Sequence, residues 1–422
     1  MTLRTRATLA ALLLLLLPAC AAKRAPSPDQ AGQPWKSLDA MGDSLTDAGS
    51  VGANAHAAGS DRENADGGRF LAEILVQQVD RQVFADPAYP VLRPQFPETA
   101  HTGLVNPDNL YENAAIRPDF EYLVRGTRGS SADLVLQVYE SLPGVKGSLH
   151  GVSTLSVDQI EFADDGTFEV HVGPTPREKN WLDTGEKGGL LLVRWSHSDW
   201  ATERPGRIEI IRSGNEGIPQ PAPDVADVAA RIRSAGEAVP DAGQFWVDFV
   251  RKVRFLQPDN SVSALRSTGE QGLAGQVSAI GKWNLAPDEA LVLTVPKADA
   301  RYQGVQLGNY WFDALEWANR QTSLSGGQAR LGSDGRYHYV IAATDPGVPN
   351  WLDTTGLPEG VFFLRFQGTR GEVPAKDAPT VEKVALDAVR THLPADTPTI
   401  SAAERRDQLA ARRLQLQRRY MR

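Results

Sequence analysis

The sequence predicts a mainly β protein with helices: two tandem, related β modules of sandwich or jelly-roll type, with helical N-terminal, central and C-terminal segments. Three observations carry this expectation. A five-residue segment occurs twice, as Asn180-Trp181-Leu182-Asp183-Thr184 and as Asn350-Trp351-Leu352-Asp353-Thr354. Each copy follows an Asp-Gly turn and an alternating run, Thr167 to Val172 and Arg336 to Ile341, and precedes an apolar run closing on Arg194-Trp195 or Arg365-Phe366. Alternation after a glycine turn marks a half-buried strand, and a short apolar run marks a buried one. Finally, 38 Gly and 28 Pro supply the turns that many short strands need.

The elements follow in chain order. Arg4 and Arg6 precede an apolar stretch from Leu9 to Leu17, then Leu17-Pro18-Ala19-Cys20. This is the pattern of a lipoprotein signal peptide over residues 1–19, because the apolar core is too short to remain as a spanning helix. Cys20 is the sole cysteine and stands where the thiol would be acylated. An ordinary secretory peptide ending near Ala22 is the other reading of the same residues. A diacylglycerol thioether plus an amide-linked acyl chain would hold the protein stably at a lipid membrane. Ala21, rather than Asp, after the cysteine suggests the outer membrane, so the expected location is the cell envelope. Residues 20–34 then read as the lipidated cysteine and a flexible tether.

Residues 35–116 form the helical N-terminal segment, with helical spacing from Trp35 to Leu45 and from Gly68 to Phe84. The first β module spans 117–213 and the second 286–372, with Gln137 and Gln306 at equivalent places. Between them, 214–285 holds a linker at Pro219 to Pro223 and a helical pair, Asp224 to Gly236 and Asp241 to Arg254. Residues 373–422 form a C-terminal extension, in which Ser401 and Glu404 make a capping box for an Arg-rich helix. Its arginines alternate with Leu409, Leu414 and Leu416, which suits a solvated helix with one packed edge or a contact with anionic lipid.

Hydrophobic content of 41% and charged content of 23% belong to a globular protein, and a net charge of −8 argues against nucleic acid as a partner. No cofactor or metal is expected. The seven His, among them His171, His197 and His338, lie in no ligand-spaced motif, and no glycine-rich phosphate loop follows a strand.

Gly42-Asp43-Ser44-Leu45 resembles the signature of the GDSL esterases, whose serine is the nucleophile. Such a nucleophile stands at the end of a buried strand, whereas Trp35, Leu38, Met41 and Leu45 have near-helical spacing. The Gly-x-Asn-Asp and Asp-x-x-His blocks of that family are absent from the sequence, so Ser44 has no base and the motif reads as a decoy. A second likeness spans roughly residues 60 to 420. It is carried by Asn106-Pro107-Asp108-Asn109-Leu110-Tyr111, Asp199-Trp200-Ala201-Thr202-Glu203-Arg204, Asp299-Ala300-Arg301-Tyr302, Leu307-Gly308-Asn309-Tyr310-Trp311, Arg320-Gln321-Thr322-Ser323-Leu324 and Asp345 to Asp353. Together with the repeated Asn-Trp-Leu-Asp, these are similar to the bacterial domain of unknown function 1214. That resemblance implies a β-rich fold and no particular reaction.

Candidate ligand-binding residues cluster in those segments: Asn106, Asp108, Tyr111, Arg301, Tyr302, Asn309, Trp311, Arg320 and Gln321. Amides, arginines and aromatic faces together suit a glycan or another small polar ligand. Each also has a purely structural use, Asn106-Pro107-Asp108 as a turn and Trp311 in a core. Two function classes follow: an envelope binding protein, or a carbohydrate-active or ester hydrolase.

Overall fold

The computed structural model describes residues 33–55, 59–95, 101–141, 150–267, 275–369 and 378–420. Cys20, the signal peptide and all of the tether except Gln33 and Pro34 lie outside the described residues.

In chain order the first strands are β1 (Arg93–Pro94), β2 (Asn109–Ala115), β3 (Tyr122–Thr127), β4 (Asp133–Tyr139), β5 (Gly151–Ser156), β6 (Thr167–Val172), β7 (Trp181–Leu182), β8 (Leu190–Ser196) and β9 (Ile208–Arg212). They make two sheets, ordered β1-β2-β8-β4-β5 and β7-β6-β3-β9. The sheets face one another because alternate residues of each are apolar. Leu134, Leu136 and Val138 meet Phe168, Val170 and Val172 over the buried Leu191, Val193 and Trp195. Each such large side chain taken fully out of water stabilises the fold by about 1.5–3 kcal/mol.

The later strands are β10 (Ser261–Val262), β11 (Arg266–Ser267), β12 (Gln276–Asn284), β13 (Glu289–Pro296), β14 (Ala300–Gly308), β15 (Ser323–Ser325), β16 (Arg336–Ala342), β17 (Trp351–Asp353), β18 (Glu359–Thr369) and β19 (Thr380–Ala385). They too form two sheets, β10-β12-β18-β14-β15 and β17-β16-β13-β19, with β11 also on β12. Trp283, Leu293, Ile341, Phe362 and Leu364 lie in the core between them. The strand order is that of the first pair.

Both sandwiches reach past the sequence-based boundaries. β2 lies within 35–116, β12 within 214–285 and β19 within 373–422. β2 reads Asn-Leu-Tyr-Glu-Asn-Ala-Ala, and its polar side chains are buried, so no alternation of polarity betrays it. The polar side chains of β19 face outward.

Helices α1 (Gln33–Ala55), α2 (Asp61–Gln78) and α3 (Val225–Leu256) pack through Ala48, Phe70, Ile74, Val239, Ala242 and Val247 onto Trp311. A capping box of Ser60 and Glu63 starts α2 at Asp61, well before the Gly68 that apolar spacing suggests, and a π-helical turn, Val79–Phe84, ends it. The expected helical pair is one helix. Pro240 has no N–H to give Gly236, yet Ala235, Gly236, Val239 and Ala242 are all buried, and a Cβ on Gly236 would fall 2.9 Å from the Met41 Cα. Packing on α1 therefore carries the helix through a residue that would end it in isolation.

Helix α4 (Ala402–Tyr420) opens on the Ser401/Glu404 capping box. Its packed edge is made of Arg405, Arg412, Leu416 and Arg419, while Leu414 is 53% exposed.

Candidate functional site

The nine residues singled out from the sequence fall in four places. Asn106, Asp108, Tyr111 and Tyr302 converge in a buried network where the first sandwich meets β14. The Tyr302 hydroxyl donates to Asp108 Oδ2 at 2.6 Å, Trp200 Nε1 donates to Asp108 Oδ1 at 2.8 Å, and Asn106 Nδ2 donates to the Tyr302 oxygen at 3.0 Å. Asn109 Nδ2 donates to the Tyr111 oxygen at 3.0 Å. Arg412 and Arg419 of α4 lie 4.3 and 4.0 Å over the ring of Trp200. Burial raises the Asp108 carboxyl, and the Tyr302 hydrogen bond and the two arginines offset part of that rise. His197 bridges the Asp108 carbonyl and the Ser131 hydroxyl, each at 3.2 Å, and burial pushes its imidazole down to about 3. Asp108, Asn106, Tyr302, Trp200 and His197 are joined by these hydrogen bonds, while Arg419 reaches the Pro107 carbonyl through Nη2 alone, its Nε and Nη1 being buried without a partner, so the network acts as the polar seam that joins the sandwiches and seats α4.

The other candidates are structural. Arg301 pairs with Asp133 at 2.9 Å and Asp158 at 2.5 Å, tying β14 to the first sandwich. Gln321 Nε2 donates to the carbonyls of Pro349 and Trp351, and its oxygen accepts from Arg405 at 3.1 Å. Arg320, half exposed, pairs with Asp353 at 2.9 Å. Trp311 is a core residue rather than a stacking platform. Its indole N–H donates to the Glu63 carbonyl at 2.8 Å, and its ring fills the notch at Gly67, where a Cβ would come within 2.4 Å. Asn309 Oδ1 accepts from the backbone of Trp311 and Asp313, shaping a tight turn.

That turn forms one wall of a small, open polar cleft with a volume of about 50 Å³. The opposite wall is α2, whose Arg62, Asp66, Arg69 and Glu73 lie on one face at helical spacing; His101, Asp313, Leu315 and Glu316 complete the lining. Asp313 is 5% exposed, and its Oδ1 has no hydrogen-bond partner. Burial first, then the charge of Glu73, holds the Asp313 carboxyl well above the ordinary carboxylate range. Glu73 is buried as well. His101 Nδ1 lies 2.8 Å from Glu73 Oε1, the His101 backbone N–H donates to Oε2 at 3.0 Å, and the Thr102 hydroxyl donates to Oε2 at 3.3 Å. The His101 ring rests 4.6 Å from that of Trp317. Of the predicted residues only Asn309 lines this cleft. The available sequence signal was the Ser60/Glu63 capping box, which would have set Arg62, Asp66, Arg69 and Glu73 on one helix face.

Ser44 lies inside α1, and its hydroxyl donates to the Ala40 carbonyl at 3.1 Å, one turn back. Among the described residues no group of three or more His, Cys, Asp or Glu is placed to hold a metal ion, and no helix is long and apolar enough to cross a membrane.

The fold and cleft define a mainly β protein whose polar recess opens between a helical layer and the second sandwich. The chain belongs to the same family as an uncharacterised protein from Burkholderia cenocepacia, with 30% identity over 85% of this chain and 98% of that one, and a TM-score of 0.77. A protein from Vibrio parahaemolyticus is similar at 12% identity over 80% of this chain and 100% of that one, with a TM-score of 0.41. No family model matches, and no curated protein does.

Proposed function

We propose that this is an exported lipoprotein, anchored through Cys20 in the cell envelope, that binds a small polar, hydroxylated ligand such as a glycan fragment in the cleft between α2 and the 309–316 segment. The observation that carries the reading is that Asp313, one of the residues lining that cleft, keeps a buried Oδ1 without a hydrogen-bond partner. A buried polar atom left without a hydrogen bond is unfavourable by about 1–3 kcal/mol, and a ligand hydroxyl would supply the partner. The lining mixes both charge signs, which favours a neutral polar ligand over a strongly ionic one. Nucleic acid fits neither this lining nor the net charge of −8.

The two sandwiches are taken as products of an internal duplication, in a family akin to domain of unknown function 1214. Equivalent hydrogen bonds support the duplication. Asn180 clamps the backbone of Glu161 as Asn350 clamps that of Arg330, and Trp181 donates to the Gly173 carbonyl as Trp351 does to that of Ala342.

The test uses the full chain in detergent. Saturation-transfer NMR against a panel of mono- and oligosaccharides is expected to find a binder whose signal weakens at least tenfold in Asp313→Ala; a panel with no binder sinks the ligand reading. Labelling of cells with an alkynyl fatty acid is expected to mark the wild type and not Cys20→Ser, and equal labelling removes the anchor.

A further inference from the structure

We infer that the same cleft hydrolyses an acyl ester on its hydroxylated ligand, with His101 as the base that activates water, Glu73 as the residue that positions His101, and Asp313 as the hydrogen-bond donor to the ester carbonyl oxygen. This rests on the ligand-binding reading of the cleft. The geometry begins with Glu73. A carboxylate only accepts, so the ring nitrogen 2.8 Å from Oε1, His101 Nδ1, carries the proton, and in the neutral ring Nε2 presents its lone pair. Two further donors, the His101 backbone N–H and the Thr102 hydroxyl, hold Glu73 Oε2, so the orienting carboxylate is itself fixed. A base oriented by a buried acid is the arrangement that general-base chemistry requires.

Asp313 is tied to the same strip of backbone. Thr102 and Asp313 pair as an antiparallel bridge, and the Ala314 N–H donates to the His101 carbonyl at 3.0 Å. His101 and Asp313 therefore line one recess. Asp313 faces Glu73 and Asp66, which with burial favour its neutral form, and the Thr102 hydroxyl and Arg69, which oppose it. A carboxyl kept neutral in this way donates a hydrogen bond where a carboxylate would repel a developing oxyanion.

The step balances with water alone. The water oxygen bonds to the ester carbon while His101 Nε2 takes its proton, and the carbonyl oxygen becomes an oxyanion held by Asp313 O–H. The tetrahedral intermediate then expels the alkoxy group, which receives the proton from His101, giving a carboxylic acid and an alcohol. One histidine moves one proton in and out, and no second carboxylate base is needed. That economy favours an ester over a glycosidic bond at this site.

The experiment follows hydrolysis of p-nitrophenyl acetate and glucose pentaacetate by the full chain in detergent. Saturable turnover is expected. His101→Gln should lower kcat by about 10²–10⁴, and Asp313→Ala by about 10²–10³. Asp313→Asn should keep most of the activity because its amide N–H still donates. Melting temperature and amide NMR spectra separate these effects from misfolding, and added imidazole should restore part of the rate to a His101→Gly variant. An alkaline loss of rate, as Asp313 ionises beside Glu73, Asp66 and Arg69, should vanish in Asp313→Asn. If the wild type hydrolyses neither ester while saccharides still bind, the catalytic assignment fails and the binding reading stands; if nothing binds and nothing turns over, both fail. Turnover unchanged in His101→Gln overturns the assignment of the base, and loss of turnover in Asp313→Asn overturns that of the donor.

Discussion

Acid should unfold this protein through His197. The imidazole is fully enclosed and lies between the Asp108 carbonyl and the Ser131 hydroxyl, with Arg419 and Arg204 as charged neighbours. Burial is the main reason its folded value falls from 6.5 to about 3, and the two arginines add to the fall. Between those values the unfolded chain binds a proton that the folded chain refuses, so stability decreases as pH falls. One pKa unit corresponds to about 1.4 kcal/mol, so going from pH 7 to pH 5 costs about 2 kcal/mol through this residue, and going to pH 4 about 3 kcal/mol. Urea unfolding of wild type and His197→Gln, followed by tryptophan fluorescence at pH 7, 5 and 4, isolates the difference. The variant should be less stable at pH 7, because it disturbs the two hydrogen bonds, yet lose less on acidification. Asp108 titrates in the opposite sense, its raised carboxyl favouring the folded state as pH falls, but it does so in both proteins. Parallel stability curves for the two proteins would refute the reasoning.

Neighbouring glycines of α2 should behave oppositely. Gly67→Ala places a Cβ 2.4 Å from the Trp311 ring and should destabilise by about 1–3 kcal/mol in urea unfolding. Gly68→Ala meets nothing within 4 Å and should stabilise by about 0.5–1 kcal/mol. Arg412→Ala removes donors to the Trp317 carbonyl at 2.5 Å and the Ser323 hydroxyl at 2.7 Å, besides the contact with Trp200. It should lower stability by about 2–4 kcal/mol, whereas Leu414→Ala on the outer face should stay within about 0.5 kcal/mol. Ser44→Ala should leave stability within about 0.5 kcal/mol, and any ester hydrolysis unchanged, because the hydroxyl is spent on the Ala40 carbonyl; a fluorophosphonate probe that labels Ser44 would contradict this.

The C-terminal helix illustrates how polarity misleads in a sequence. A leucine reads as the packed residue and an arginine as the solvated one, yet Arg405, Arg412 and Arg419 are buried and Leu414 is exposed. The arginines are seated by what meets them: Asp345 and Gln321 for Arg405, the Trp317 carbonyl for Arg412, the Pro107 carbonyl and the Trp200 ring for Arg419. None of those partners is near α4 in the chain, so local spacing has no access to them.

The candidate site divides along the same line. Asn106, Asp108, Tyr111 and Tyr302 are polar and aromatic residues that share one buried network. Residue type alone could not separate a sealed seam from an open recess.

By itself the sequence determined the β-rich class, the strands around both Asn-Trp-Leu-Asp segments and the capped C-terminal helix. Alternation, turn residues and caps act over a few residues and are written locally. Only the tertiary structure decided which strands closed each sandwich, that Pro240 lies within one helix, and that Glu73, His101 and Asp313 line one cleft. Those outcomes depend on which surfaces are buried together, and burial decides whether a carboxyl is a solvated surface group or an unpartnered one waiting for a ligand.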